Sequence, residues 1–278
     1  MIKHRYFTPS APLRGSIVCF EVIENTNVAQ EGSLQRVTPE GCLELNFNLA
    51  DPLLRTADDG EASRLDGCYA VSRASRSYFV QRTGAARVAS VRFHPWGAHQ
   101  FTPMPMDLLA DSAVDGIELF GSGIRELHDR LGEIPDADVA VAELDRFFFR
   151  ALGTARATDP LVEDAVRRMA QAKGALTMCE LHARYGITPR RMQQRFKTRI
   201  GMSPKHYARL MRFQHALFGL LKGDPSMDVA FTAGYFDQPH FVREFTAFAG
   251  ISPSRYVKEA HPLNDAMLLG ASAAAVRV

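Results

Sequence analysis

Apolar and polar residues follow two different periods along this chain, and the change of period divides it. From residue 15 to about 100, apolar residues recur at every second position in short runs. The clearest run is Leu43-Glu44-Leu45-Asn46-Phe47-Asn48-Leu49. Strict alternation predicts a strand with one buried and one wet face. Residues 16–23, 77–80 and 87–93 are further candidate strands, rich in β-branched and aromatic side chains. Pro39-Glu40-Gly41 supplies a turn. Residues 51–60 and 95–105 read as loops. Several short strands at this spacing predict a small barrel or sandwich.

After about Met106 the spacing becomes helical. Residues 117–131 and 139–152 place Leu127 and Leu131, then Leu144, Phe148 and Leu152, on one face. Gly132 and Pro135 punctuate the gap between them. Residues 153–159 are small and polar, which suits a linker. Asp159-Pro160 then opens a helix expected to end near Gly174. Thr177-Met178-Cys179-Glu180 is a capping box that starts a short helix to Tyr185. Thr188-Pro189 caps the next helix, to about Ile200, and Ser203-Pro204 caps a long one to about Lys222. A short helix, a turn containing glycine and a second helix make a helix-turn-helix pattern.

Charge sharpens this division. Residues 1–153 carry 15 Lys and Arg against 21 Asp and Glu, and the remainder carries 18 against 10. From Leu181 to Gly223 there is no acidic residue, and ten cations fall in these 43 positions. Like charges at that density repel unless a polyanion or solvent screens them. Apolar residues at helical spacing (Met192, Phe196 and Ile200, then Tyr207, Leu210 and Leu217) show that the run is folded. A folded, basic, helical surface points to nucleic acid.

The pattern also repeats. Phe196, Gly201, Ser203, Pro204 and Tyr207 recur 49 residues later as Phe245, Gly250, Ser252, Pro253 and Tyr256. Two helix-turn-helix units, about 177–200 and 226–249, are therefore joined by the helix from 204 to 222. At about 1.5 Å per residue this connector spans about 28 Å, near the roughly 34 Å between successive major-groove faces. In the first unit Arg190, Gln193, Gln194 and Lys197 form a donor-rich face opposite Met192, Phe196 and Ile200. Arginine suits guanine O6 and N7, and glutamine suits adenine N6 and N7. In the second unit Gln238, His240 and Arg243 are the polar candidates.

These residues resemble the AraC-type (AraC/XylS) family of bacterial transcriptional regulators. The resemblance rests on Thr188-Pro189-Arg190-Arg191-Met192-Gln193-Gln194-Arg195-Phe196-Lys197, Gly201, Ser203-Pro204 and Tyr207. It rests equally on Gly234-Tyr235-Phe236-Asp237-Gln238-Pro239-His240-Phe241-Val242-Arg243-Glu244-Phe245, Gly250 and Ser252-Pro253. It covers about residues 159–259 and implies base-reading positions at Arg190, Gln193 and Gln194, and at Gln238, Pro239 and Arg243. Candidate contacts to the DNA backbone are Arg191, Arg195, Lys197, Arg199, Lys205, Arg209 and His240. Three departures stand out: His182 replaces a small residue, Pro239 replaces serine and Thr246 replaces lysine. Pro239 removes a donor, and Thr246 with Glu244 makes the second helix less basic, which implies a second unit that binds DNA more weakly, mainly through the backbone, and reads less sequence than the first. Pro39-Glu40-Gly41 and the strand after it loosely resemble the degenerate cupin-like sensor domains of such regulators.

The expected fold class is α+β: a small cupin-like β-barrel with following helices, then an all-α domain of two helix-turn-helix units. The expected division is residues 1–153, a linker at 154–158, the DNA-binding domain at 159–259 and a tail at 260–278. The Ala-rich tail from Pro262 reads as disordered or as one extra helix. The expected function is sequence-specific DNA binding in the major groove for transcription regulation, controlled by a small-molecule effector or a protein partner at the front domain. A second copy of the chain is another candidate partner, and the resemblance adds RNA polymerase. The rival reading is a metal- or small-molecule-processing barrel fused to a DNA-binding domain.

His94 and His99 are the only close histidine pair in the front domain. They flank Pro95-Trp96-Gly97 and read as structural rather than metal ligands. The cysteines Cys19, Cys42, Cys68 and Cys179 lie far apart without zinc-knuckle spacing, and reduced thiols are expected. No nucleophile motif or phosphate loop is present. The reading is therefore of a non-enzyme without metal or cofactor. No signal peptide or membrane-length apolar stretch occurs, so a cytoplasmic location is expected.

Overall fold

A computed structural model describes residues 2–25, 32–57, 60–72 and 75–265. The front half is two antiparallel sheets. One contains β1 (Ile2–Phe7), β2 (Ile17–Asn25), β4 (Leu43–Asn48), β7 (Cys68–Ser72), β9 (Ala86–Phe93) and β10 (Ala113–Asp115), in the order β1-β2-β9-β4-β7-β10. The other contains β3 (Leu34–Val37), β5 (Leu53–Thr56), β6 (Ala62–Leu65) and β8 (Tyr78–Arg82), in the order β3-β8-β5-β6. The sheets face each other as a two-layered barrel around a shared apolar cluster.

The alternating run at 43–48 is a strand, but it has no wet face, because all six of its residues are buried. Leu43, Leu45 and Phe47 pack outward on helices. Glu44 and Asn46 point between the sheets, where Ser90 donates to Asn46 Oδ1 at 2.7 Å. The second sheet covers the face that alternation alone assigns to water. Residues 51–60, expected to be a loop, include the strand β5, which pairs with β6 and β8.

Three helices cover the outer face of the larger sheet: α1 (Gly116–Phe120), α2 (Gly123–Glu133) and α3 (Ala137–Leu152). The helix expected over 117–131 is thus two helices. Gly121, at φ +89, ends the first. Leu127, Leu131, Leu144 and Phe148 are fully buried here beside Phe20, Phe47 and Phe93.

The back half is helical: α4 (Pro160–Gln171), α5 (Met178–Tyr185), α6 (Pro189–Ile200), α7 (Pro204–Leu221), α8 (Ser226–Thr232), α9 (Gln238–Ala249) and α10 (Pro253–Lys258). Local chemistry sets its boundaries. Thr177 and Glu180 form both halves of the capping box. Thr188, Ser203, Asp237 and Ser252 each cap a helix whose first turn contains proline. Met192, Phe196 and Ile200 from α6 and Phe241, Phe245 and Phe248 from α9 share one core with Leu210, Phe213 and Leu217 of α7. Residues 262–265 turn helically. The rest of the tail, 266–278, lies outside the described residues.

The halves touch along several seams. Trp96 of the front half is part of the back half's apolar core. Its indole donates to the Gly15 carbonyl at 2.9 Å, and the Arg167 guanidinium lies 4.7 Å over its ring. Gly41, at φ +75, faces α7, and a Cβ there would come within 2.8 Å of Leu210. Gly201, at φ +87, approaches the Met106 carbonyl, which a Cβ would meet at 2.7 Å. Glycine at both places permits the left-handed turn and the close approach.

Candidate nucleic-acid interface

The donor-rich face of α6 is exposed as the helix enters the solvent side of the core. Arg190, Arg191, Gln193, Gln194, Arg195 and Lys197 are exposed, and Arg199 is half-buried. Burial of Met192, Phe196 and Ile200 fixes this orientation, since residues three and four apart share a face. Arg195 lies 3.4 Å from Asp159, the cap of α4. Lys205 is exposed at the start of α7, and Arg209 is half-buried one turn on.

On α9, Gln238, Pro239 and Arg243 are exposed and His240 is half-buried. The Asp237 carboxylate accepts from the His240 backbone N–H at 2.7 Å, so this helix begins on an acid. Glu244 is buried at the junction with α7. It pairs with Arg209 at 2.5 Å and lies 3.9 Å from both Arg212 and His240. The structure therefore turns Arg209, a candidate phosphate contact, toward a carboxylate.

Sequence reasoning missed this pair, and it missed Asp107. Residues 106–109 form a single helical turn against α6. There Asp107 lines a shallow cleft together with Arg190, Gln193, Gln194, Lys197 and Thr198. No local signal reveals either contact, because each joins residues far apart in the chain. Phe231 and Phe236 are also exposed in the second unit, Phe236 to 92 %. Phe236 directly precedes the cap of α9.

The histidines between the halves are packed as neutral rings. His94 stacks on Trp96 at 4.7 Å with its Nε2 on the Arg14 carbonyl. Burial pushes it down to about 4. Burial, then the nearby Arg199 and Arg156, pushes His99 down to about 4. Among the described residues, no three histidine, cysteine, aspartate or glutamate side chains are grouped to hold a metal. All four cysteines are free thiols, with Cys179 exposed.

The space between the two sheets holds a cavity of about 110 Å³. Its walls are largely aliphatic and aromatic, including Tyr69, Tyr78 and Val88, with Glu44, Asn46 and Arg82 as polar points. Arg82 is held by the carbonyls of Asn25 and Gly84, each at 3.1 Å. Glu44 belongs to a buried group in which the Arg92 guanidinium meets Glu21 at 2.7 Å, Glu40 at 2.7 Å and Glu44 at 3.3 Å.

Two capped, glycine-turned helix pairs on one connecting helix define a DNA-binding regulator. Residues 181–259 match the family described as a helix-turn-helix domain. Residues 5–115 match a domain family of unknown function, DUF6597. The helix-turn-helix match, with the motifs that carry it, supports a DNA-binding transcription regulator. No curated protein matches it.

Among solved structures, ToxT from Vibrio cholerae is similar over 86 % of this chain and 97 % of its own, at 8 % identity and a TM-score of 0.49. A ToxT structure with bound unsaturated fatty acid scores 0.47 at 8 % identity, over 87 % of this chain and 95 % of its own. The cupin domain of an XRE family transcriptional regulator from Enterobacter cloacae is similar over 34 % of this chain and 97 % of its own, at 15 % identity and 0.27. Among the described residues no helix is long and apolar enough to cross a membrane.

Proposed function

We propose that Arg190, Gln193 and Gln194 read base edges in one major groove, and that Gln238, Pro239 and Arg243 face the next. The observation that carries this is the exposed, donor-rich face of α6, held outward by three buried apolar residues on its opposite side. Arg191, Arg195, Lys197, Arg199 and Lys205 are assigned to phosphates, with Arg209 and His240 in lesser roles because Glu244 lies beside both. The connector α7 has 18 residues and is about 27 Å long, which suits readers in neighbouring grooves.

Residues 1–153 form the regulatory domain in this reading, 154–158 the linker and 159–259 the DNA-binding domain. The cavity between the sheets takes a small, mostly apolar effector with a polar group for Glu44, Asn46 or Arg82. The protein acts in the cytoplasm as a regulator and not as an enzyme. A second copy of the chain and RNA polymerase are its further partners.

Selection of bound duplexes from a random pool tests the reading. A recovered site with two base-specific patches about one helical turn apart is expected. Recovery of unrelated sequences bound with equal affinity would overturn it. Stoichiometric zinc, iron or manganese in purified protein would overturn the non-enzyme reading of the barrel.

A further inference from the structure

We propose that the C-terminal segment 261–265 is part of the effector site, and that its seating makes effector binding and DNA binding oppose each other. This rests on reading the inter-sheet cavity as the effector site. Leu263 belongs to the segment that follows the DNA-binding helices, yet it lines that cavity. It packs on the same apolar cluster as Val37, Tyr78 and Val88. The cavity is therefore walled by both halves of the chain.

The segment is fastened on both sides. Asn264 is fully buried. Its Oδ1 accepts from the Thr38 backbone N–H at 2.8 Å and from Thr38 Oγ1 at 2.9 Å. Its Nδ2 donates to the Tyr256 hydroxyl at 2.7 Å, and His261 stacks on the Tyr256 ring at 4.0 Å. Thr38 ties the segment to the barrel, and Tyr256 ties it to α10. Two residues before Thr38, the Arg36 guanidinium donates to the Ala249 carbonyl at 2.8 Å. Ser77 donates to that carbonyl from its hydroxyl at 2.9 Å and to the Phe248 carbonyl from its backbone at 3.0 Å. The last carbonyls of a helix have no partner within it, so barrel donors hold the end of the second reading helix.

A molecule in the cavity touches Val37 and Tyr78, next to these fastenings, and also Leu263. It has the Leu263 wall only while the segment is seated. Differential contact of this kind shifts the equilibrium toward the seated state. In that state residues 106–109 face the first reading helix, with the Asp107 carboxylate in the cleft beside Arg190 and Lys197. That placement disfavours phosphate and base contacts there. Linkage requires the reverse effect as well: DNA that draws the units away from the barrel weakens effector binding by the same factor.

The full-length chain tests this with N-phenyl-1-naphthylamine, a neutral fluorescent aromatic, as cavity probe and a random-sequence duplex as DNA. The probe is expected to weaken DNA binding by the wild type. Asn264→Ala is expected to weaken the probe and tighten DNA, each about tenfold, within the usual span of coupling factors. Thr38→Val keeps the side-chain shape, removes one donor and shifts both affinities the same ways by less. Val88→Trp fills the cavity and abolishes probe uptake.

If Val88→Trp abolishes uptake while Asn264→Ala and Thr38→Val leave both affinities unchanged, the coupling is wrong and the cavity reading stands. Loss of both affinities together in the two latch variants also overturns the coupling. Probe uptake that survives Val88→Trp, or that occurs in neither the wild type nor Asn264→Ala, overturns the cavity reading and the coupling with it.

Discussion

The two helix-turn-helix units share a frame but differ in charge. A shift of 49 residues superposes Phe196 on Phe245, and it places Arg190 on Pro239, Arg195 on Glu244 and Lys197 on Thr246. The helix α6 carries no carboxylate, whereas α9 carries Glu244, which engages Arg209 of the connector. The first unit therefore presents its cations outward. The second spends a carboxylate neutralising the helix that joins the two. The front half also holds them differently: residues 106–109 oppose the donor-rich face of α6, while Arg36 and Ser77 grip only the end of α9. A duplicated frame can thus keep its core and change its surface charge on one side.

The largest expected effect tests the shared frame. Phe196→Ala and Phe245→Ala each remove a fully buried ring from one core. Each is expected to cost about 3–5 kcal/mol in denaturant unfolding. A much smaller loss for Phe245→Ala would show that the second unit packs independently of the first.

Next in size is the difference in reading. Arg190→Ala is expected to cost about 1–3 kcal/mol and to relax preference at one base position. Arg243→Ala is expected to cost less, about 1 kcal/mol or below, and to relax preference at its own base position only weakly. Titrations on duplexes varied one base at a time check both. Equal, position-specific losses would erase the proposed asymmetry.

Much of this asymmetry was legible in the sequence, because helix boundaries are written locally. Thr177 with Glu180, Thr188-Pro189, Ser203-Pro204 and the left-handed Gly186, Gly201 and Gly250 mark the ends of helices in both sequence and structure. The exposure of the donor-rich face of α6 followed from spacing alone. The barrel was less legible. Glu44 and Asn46 are polar, so alternation assigns them to water, yet the second sheet encloses them beside Arg92 and Ser90. β5 is only four residues long, and β3 and β6 are as short, too short to stand out from loops. The partners of Gly41, Gly201 and Glu244 lie on distant elements, and spacing within one segment carries no trace of them.

The smallest expected effect isolates that last contact. Glu244→Gln removes the charge facing Arg209 but keeps its size and a hydrogen-bonding oxygen. Two consequences pull in opposite directions. Folding stability falls, because a half-buried guanidinium loses its ion pair; breaking a buried pair on one side is costly. DNA binding becomes more dependent on salt, because Arg209 and Arg212 are released toward the duplex. Each added phosphate contact steepens the slope of log K against log salt by about 0.9. A series of binding titrations at rising salt, with the melting temperature followed in parallel, separates the two. A lower melting temperature with an unchanged salt slope would mean that Arg209 points away from DNA even when freed. The weak electrostatics of the second unit would then lie in α9 itself, at Pro239 and Thr246, and not in Glu244.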